Sequence, residues 1–318
     1  NITLGIVSNT ISTVTYLLNN NMRTLSVFST WHPTGYKKYG EHFVQGFLQN
    51  WPTEVKLSIY AEDHEPNTYN ADNIEVLDQR STLPDLKAWQ ERHKDNPHAH
   101  GWNKDKTKKS FLWDASRFAN KTFALWHFAK HTDVDVMIWC DGDVRTHTPM
   151  SMEFLQEIAP SETQLTTHLG RKTWPECGWM MFNRHHPDFD KFMTRWRWIY
   201  ESDDIFNHEE NHDSFIFGEL VQEFASSGHC DLGGPGQSGH VFINSVLGKY
   251  MDHLKGFRKE VGKSLIGDVY GTRSQHFDTN PWWEDLKHVT KRDIQKQKEK
   301  NPHEYDAEQQ IKSKGINK

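Results

Sequence analysis

The feature that most constrains the fold is the stretch Val134-Asp135-Val136-Met137-Ile138-Trp139-Cys140-Asp141-Gly142-Asp143. Its first part, with apolar side chains at alternate positions and rich in β-branched and aromatic types, predicts a buried strand. It runs directly into two carboxylates separated by one glycine. In open α/β sheets, ligands bind beyond the carboxyl ends of the strands. Carboxylates placed there are oxygen ligands for a hard cation that also holds a substrate's phosphates. Asp141 and Asp143 are therefore the candidate metal ligands around which the chain is organised.

The segments before them follow an alternating pattern. Leu25 to Thr30 reads as a first strand, followed by the turn Trp31-His32-Pro33-Thr34-Gly35. Tyr36, Tyr39, Phe43 and Phe47 then recur at three- and four-residue steps, predicting an amphipathic helix that ends near Trp51-Pro52. Val55–Tyr60 and Ile74–Leu77 read as further strands. Strand–helix–strand at this spacing predicts a mainly parallel α/β sheet flanked by helices. Ser29, Thr30 and Trp31, at the end of strand one, are candidate contacts to a nucleotide base; ordinary packing and capping is the alternative. Asp114 is placed to cap the next helix, whose inward stripe is Ala115, Phe118, Thr122, Trp126 and Ala129. On it, Arg117 and Lys121 are four residues apart and share a face. Two cations just ahead of the acidic strand can neutralise a diphosphate or hold a sugar, unless they only solvate the surface.

Beyond the acidic pair, Leu165–Leu169 and the strand entered through Gly178 extend the sheet, and Phe189–Tyr200 reads as a helix. Gly178 allows close approach of a ligand to the backbone, or marks a bulge. Asn211-His212-Asp213-Ser214 precedes apolar residues at i, i+3, i+4 and i+7, which puts Asp213 at a helix start, as a cap or as a carboxylate facing a substrate. Residues 92–110 are polar and lysine-rich without periodicity and read as a long loop, either a solvated insertion or a flap carrying Lys104, Lys106, Lys108 and Lys109 to an anionic partner. His93, His98 and His100 in it lack the spacing of a compact metal site. Residues 228–240 are glycine-rich but lack the lysine of a phosphate loop, and are expected to be a flexible acceptor-side loop. Trp282-Trp283 is expected to close the core or an acceptor rim.

Global properties narrow the function. The net charge of −6 gives no support for a generally basic nucleic-acid binder. The three cysteines form no zinc or disulfide pattern and favour a reducing compartment. Residues 1–21 lack the basic start of a signal peptide and the apolar length of a membrane span, and are expected to be a leader or start-site extension ahead of Met22. One domain over 22–290 follows, then a polar tail, 291–318, partly helical or disordered. No integral membrane association is expected, and the location expected is the cytoplasm of a bacterium or virus-infected cell.

Taken in order, Asp141-Gly142-Asp143, the Gly178-to-Asn183 strand, the His212-Asp213 helix start and His253-x-x-Gly256-x-x-Lys259 resemble a GT-A glycosyltransferase. The likeness is to the retaining, glycogenin- and galactosyltransferase-like family 8, which carries a DxD motif and a late HxxGxxK motif; it covers roughly residues 24–265. Two departures stand out: no Pro-Trp follows Lys259, and Asn211-His212-Asp213 occupies the place of an Asp-Gln-Asp run. The resemblance implies Mn2+, or Mg2+, held by Asp141, Asp143 and His253. It implies donor diphosphate contacts from Lys259 and Gly256, and donor sugar-phosphate contacts from Arg117 or Lys121. Asp213, with His212, would stand beside the transferred sugar. The activity implied is retaining transfer of a hexose or pentose from a nucleotide-sugar, UDP-linked, to an acceptor hydroxyl on a glycan, a protein or a hydroxylated base in DNA. A non-catalytic nucleotide- or sugar-binding module of the same fold and a sugar-phosphate nucleotidyltransferase are the alternatives. The latter would carry a glycine- and lysine-rich loop after strand one, which Ser29–Gly35 does not show.

Overall fold

The computed structural model describes residues 22–63, 66–234, 240–256 and 258–264, with Asp268, residues 280–283, Lys296 and Glu299. The expected leader, 1–21, and all of the expected tail except Lys296 and Glu299 lie outside the described residues.

Seven strands form the main sheet: β1 (Leu25–Trp31), β2 (Lys56–Ala61), β3 (Ile74–Asp78), β4 (Val136–Cys140), β6 (Thr166–Leu169), β7 (Glu176–Asn183) and β8 (His229–Asp231), in the order β3-β2-β1-β4-β7-β6-β8. The pairs β3/β2, β2/β1 and β1/β4 are parallel. The direction then reverses, β7 running antiparallel to both β4 and β6, and β8 parallel to β6. Two short strands, β5 (Val144–Thr146) and β9 (Met251–His253), pair antiparallel as a separate ribbon. This is the mainly parallel sheet flanked by helices that the sequence implied, with Asp-Gly-Asp following a central strand.

Alternation along β4 gives both faces of the sheet an apolar layer. Val136, Ile138 and Cys140 join Phe43, Val44 and Phe47 of the helix Glu41–Asn50 in one core. Met137 and Trp139 join Ala119, Phe123 and Trp126 of the helix Ala115–His131, and Trp196 of the helix Phe189–Glu201, in the other. All five residues of β4 are buried, as a strand covered on both sides must be. From β1 the chain moves outward to β2 and β3, then returns through the helix Ala115–His131 to set β4 on the opposite side of β1. The carboxyl edge between β1 and β4 is therefore the switch point of the sheet, where such folds open a ligand crevice.

Several local expectations need correction. The helix expected from Tyr36 opens as a π-helical turn, Tyr36–Gly40, before becoming α-helical at Glu41. Residues 92–110 are not one long loop: the helix Pro84–His93 enters them, Pro97–His100 is a 3-10 turn, and Trp102 bridges to Lys109. Asn103 Oδ1 organises that turn by accepting from the Thr107 and Lys108 amides at 2.9 and 3.0 Å. A side-chain-to-backbone bond of this kind leaves no periodicity to read. Within the glycine-rich stretch, His229–Asp231 is an edge strand, and residues 235–239 lie outside the described residues. The Asp231 carboxylate pins it by accepting from the amides of Gly170, Gly233 and Gly234. Trp283 is fully buried and donates to Gly248 O, which closes the core.

The ribbon strand β5 is braced from the helix Glu41–Asn50. Asn50 Nδ2 donates to Thr146 O at 3.1 Å and Trp51 Nε1 to Thr146 Oγ1 at 2.9 Å. Gly46 permits that approach, because a Cβ there would stand 2.7 Å from Thr146 O. Gly46→Ala is expected to lower stability by about 1–3 kcal/mol, read as a fall in the urea midpoint at constant slope. An unchanged midpoint would mean that helix and ribbon can slide apart freely.

Candidate active site

The turn after β4 sets the two acidic side chains. Val144 N–H bonds Asp141 O at 3.0 Å, and Asp141 N–H bonds Gly178 O of β7 at 3.0 Å. Trp31 packs across Gly142, where a Cβ would lie 2.8 Å from its ring. The ribbon then brings in the third group: Val144 is opposite His253, and Leu254 N–H bonds Asp143 O at 3.0 Å. His253 Nε2 lies 3.1 Å from Asp143 Oδ1 and 3.6 Å from Asp141 Oδ2. One ligand atom from each of Asp141, Asp143 and His253 lies within 4.8 Å of the others, a spacing able to hold a cation.

Cations from separate elements surround these carboxylates. Lys121, 6% exposed, places Nζ 3.2 Å from Asp141 Oδ1, 2.6 Å from Asp213 Oδ2 and 2.6 Å from Cys177 O. Its ammonium also lies 4.6 Å from the centre of the Trp139 ring, and Trp139 Nε1 donates to Asp141 Oδ1 at 2.6 Å. Lys259 Nζ sits 2.8 Å from Asp143 Oδ2. The turn that returns Lys259 to the site passes through Gly256 at φ +56°, in the left-handed region that favours glycine.

These partners split the pair electrostatically. Burial raises the Asp143 carboxyl, but Lys259 and His253 outweigh it and hold the group well below the usual carboxylate range. Burial keeps the Asp141 carboxyl raised, with Asp143 adding to the rise against Lys121. Burial opposes ionisation of Asp213 too, yet Lys121 holds it low. For Lys121, burial works against the charge, while Asp141 and Asp213 keep it protonated. Glu176 is buried under His253; Lys255 and Arg171 overcome the burial and hold it ionised.

Beside this cluster is a cleft of about 190 Å³ lined by His32, Lys38, Tyr39, Arg117, Gly256 and Lys259, among others. Lys259 thus belongs to both the cleft and the carboxylate cluster, and its Nζ lies 4.8 Å from the Tyr39 ring centre. Arg117 and Lys121 start from one helix but diverge in use: Arg117 is exposed at the cleft, and Lys121 is buried among carboxylates. Lys259 meets Asp143 through its ammonium, and Gly256 lines the cleft beside it.

Other sequence candidates turn away from the cleft. Ser29 is fully buried and donates to Cys140 O at 2.6 Å. Thr30 donates to Glu62, and Trp31 is 2% exposed against Phe43. His212 caps the helix Asp213–Glu223 by accepting from Phe215 N–H, and its Nε2 lies 2.9 Å from buried Glu210. Asp213 is therefore the first helical residue and not the cap, which frees its carboxylate for Lys121. Lys104, in the turn 101–110, donates to Asn207 O, while Lys108 and Lys109 lie over Trp113 and Trp102.

Sequence reasoning missed Lys38, Tyr39, Glu62 and Glu176. Tyr39 counted only as one apolar step of a helix; the π-helical turn is what aims it at the cleft, and such turns are often found at functional sites. Glu62 did carry a signal, as an acidic residue just beyond β2. Burial pushes its carboxyl up to about 7, opposed by the Thr30 hydroxyl and helped by Asp63. Glu176 had none, since only the antiparallel placement of β7 puts it under His253.

No protein-family profile matches the chain, and no curated protein sequence does. Solved structures match part of its backbone. Mouse xyloside xylosyltransferase 1 in its apo form is 10% identical, over 65% of this chain and 84% of that one, with a TM-score of 0.42. The galactosyltransferase LgtC, in complex with donor and acceptor sugar analogues, is 11% identical over 65% and 72% at a TM-score of 0.38. The glycosyltransferase GlyE of Streptococcus pneumoniae is 12% identical over 67% of this chain and 45% of its own, also at 0.38. This chain therefore spans less than half of GlyE. With TM-scores below 0.5 these likenesses are partial and say nothing about the reaction.

Two outcomes are expected from this geometry. Lys121→Met leaves buried Asp213 and half-buried Asp141 without their shared cation and should cost about 3–5 kcal/mol in urea unfolding; adding Asp213→Asn should recover part of it. Additive losses in the double variant would mean that the Lys121–Asp213 pair is not coupled. The second concerns Glu62. Folding raises its pKa from 4.5 to about 7, so the folded state binds the proton more tightly, and stability falls as pH rises through that window. Glu62→Gln should raise the melting temperature more at about pH 8 than at about pH 5; an equal change at both would contradict the assignment.

Proposed function

We propose that this chain is a divalent-cation-dependent glycosyltransferase that takes its sugar from a nucleotide-sugar, UDP-linked, and passes it to an acceptor hydroxyl. The observation that carries the reading is the sharing of Lys259 between two unlike clusters at the switch point, the Asp141/Asp143/His253 group and the basic cleft of Lys38 and Arg117. An isolated acidic triad would bind a cation alone, and an isolated basic cleft any anion. Their contact suits a cation–diphosphate pair.

The residues fit the cation. Two carboxylates supply the hard oxygen donors that Mn2+ or Mg2+ prefers, and one imidazole suits a transition ion such as Mn2+. Among the described residues His253 Nδ1 is buried without a hydrogen-bond partner, which matches an imidazole that engages through Nε2. When bound, the cation supplies charge neutralisation on the departing diphosphate. Lys259, Arg117 and Lys38 add fixed positive charge around the same phosphates, aimed where negative charge develops as the bond to the anomeric carbon breaks. Lys121 keeps Asp213 ionised beside Asp141, so Asp213 can accept from sugar hydroxyls and stabilise positive charge on the sugar ring. The acceptor oxygen then attacks the anomeric carbon. Its proton passes to the departing diphosphate if configuration is retained, the outcome expected for this reading. Among the described residues no helix is long and apolar enough to cross a membrane.

Thermal unfolding with nucleoside diphosphates and nucleotide-sugars, with and without Mn2+, tests the donor site. At about a hundredfold excess over Kd, stabilisation of about 2.7 kcal/mol is expected with UDP-type ligands in Mn2+, a shift of about 4 °C for a chain of this size, lost in Asp143→Ala. Release of UDP from the sugar that shifts most, with transfer to an added acceptor, would then separate an enzyme from a binding module. No shift with any nucleotide in a folded protein would defeat the proposal.

A further inference from the structure

We propose that Glu176 is the positioning carboxylate of the metal site: as His253 Nε2 engages the cation, its Nδ1–H donates to Glu176 Oε1, which fixes the tautomer and the plane of the ring. The inference deepens the cation-binding reading above and rests on it.

Four observations converge on this pair. His253 is 2% exposed and Glu176 4% exposed, so neither is served by bulk water. His253 Nδ1 is buried and makes no hydrogen bond among the described residues, while Glu176 Oε1 stands 3.5 Å away. A buried polar nitrogen left unmatched is costly, and a small ring rotation would close this gap. The two oxygens of Glu176 are also divided in use. Oε2 takes both cations, Lys255 and Arg171, the latter at 3.1 Å. Among the described residues, Oε1 accepts only the Gly178 amide, at 3.2 Å, and so keeps a lone pair facing the imidazole. Finally, the backbone is cut back to admit the ring. Glu176 and Gly178 are two apart on β7 and lie on one face of it. A Cβ at Gly178 would come within 2.4 Å of His253 Cε1 and 2.5 Å of Nδ1.

A metal-ligating imidazole is commonly oriented in this way, its second nitrogen donating to a carboxylate, and loss of such a partner typically weakens metal binding about 10- to 100-fold. Glu176 also reaches beyond the ring. Arg171, which pairs with it, bonds Trp174 O at 3.1 Å and Pro175 O at 3.4 Å, so one carboxylate ties His253 to the turn between β6 and β7.

The test measures Mn2+ binding by electron paramagnetic resonance on the full chain, with no nucleotide or sugar present. Glu176→Gln keeps the shape of the side chain and should weaken Mn2+ binding about 10- to 100-fold. Unchanged affinity in this variant, with only a lower melting temperature, would overturn the inference and leave Glu176 as counter-ion to Lys255 and Arg171. Wild-type protein that binds no Mn2+ would overturn it together with the cation reading, so the two failures are distinct. If Glu176→Gln does not fold, 15N-histidine NMR of the wild type loaded with Mg2+ decides, with His253 assigned by loss of its signals in His253→Ala. The Nδ1-protonated tautomer is expected, and an Nε2-protonated ring would overturn the inference.

Discussion

The interaction on which the rest of the structure depends is the three-way contact of Lys121 with Asp141, Asp213 and the Cys177 carbonyl. Carboxylates crowded at one sheet edge repel one another and resist burial. They persist only where cations are delivered at fixed distances. Lys121 comes from the helix ahead of β4, Asp213 from the start of a later helix, and Cys177 from β7. One ammonium therefore holds together elements on both sides of the carboxyl edge of the sheet. Removing it exposes the cost of the buried charges, which is large because the pair was desolvated on folding.

The second cation, Lys259, acts differently. It pairs with Asp143 but lies at the border of an open cleft. The two members of the acidic pair thus have unequal surroundings. Asp143 is held firmly ionised between His253 and Lys259, and Asp141 is raised by burial and by its neighbour. A divalent cation would remove that inequality, since it stabilises both charges at once. The same logic accounts for the cleft, where Lys38 and Arg117 stand together and a bound anion would relieve their repulsion.

Much of the scaffold was legible because it follows from short-range pattern. Period-two alternation through Val136–Cys140 identified the central strand, and the step of three and four through Phe43 and Phe47 the helix behind it. Asp114 was readable as a cap because capping is local chemistry. What failed was also local in origin. Asn103 folds its turn through its own side chain, and Tyr39 is re-aimed by a π-helical turn that leaves the spacing of apolar residues unchanged. Ser29 was placed correctly near the end of β1, and Trp31, read as the start of the turn, is its last residue; strand alternation says only which residues share a face, and both are used in packing.

By itself the sequence determined the α/β character and the position of Asp141 and Asp143 beyond a central strand. Each is set by periodicity or by spacing within a few residues. Only the tertiary structure decided that Lys121 points into the protein while Arg117 points into the cleft, that Glu176 lies under His253, and that β7 runs against β4. Those choices depend on pairing between segments far apart in the chain, such as Val144 with His253 and Cys140 with Trp179. The free energy that selects them comes from burying two apolar layers and pairing buried charges such as Lys121 with Asp213, which no short window of sequence contains.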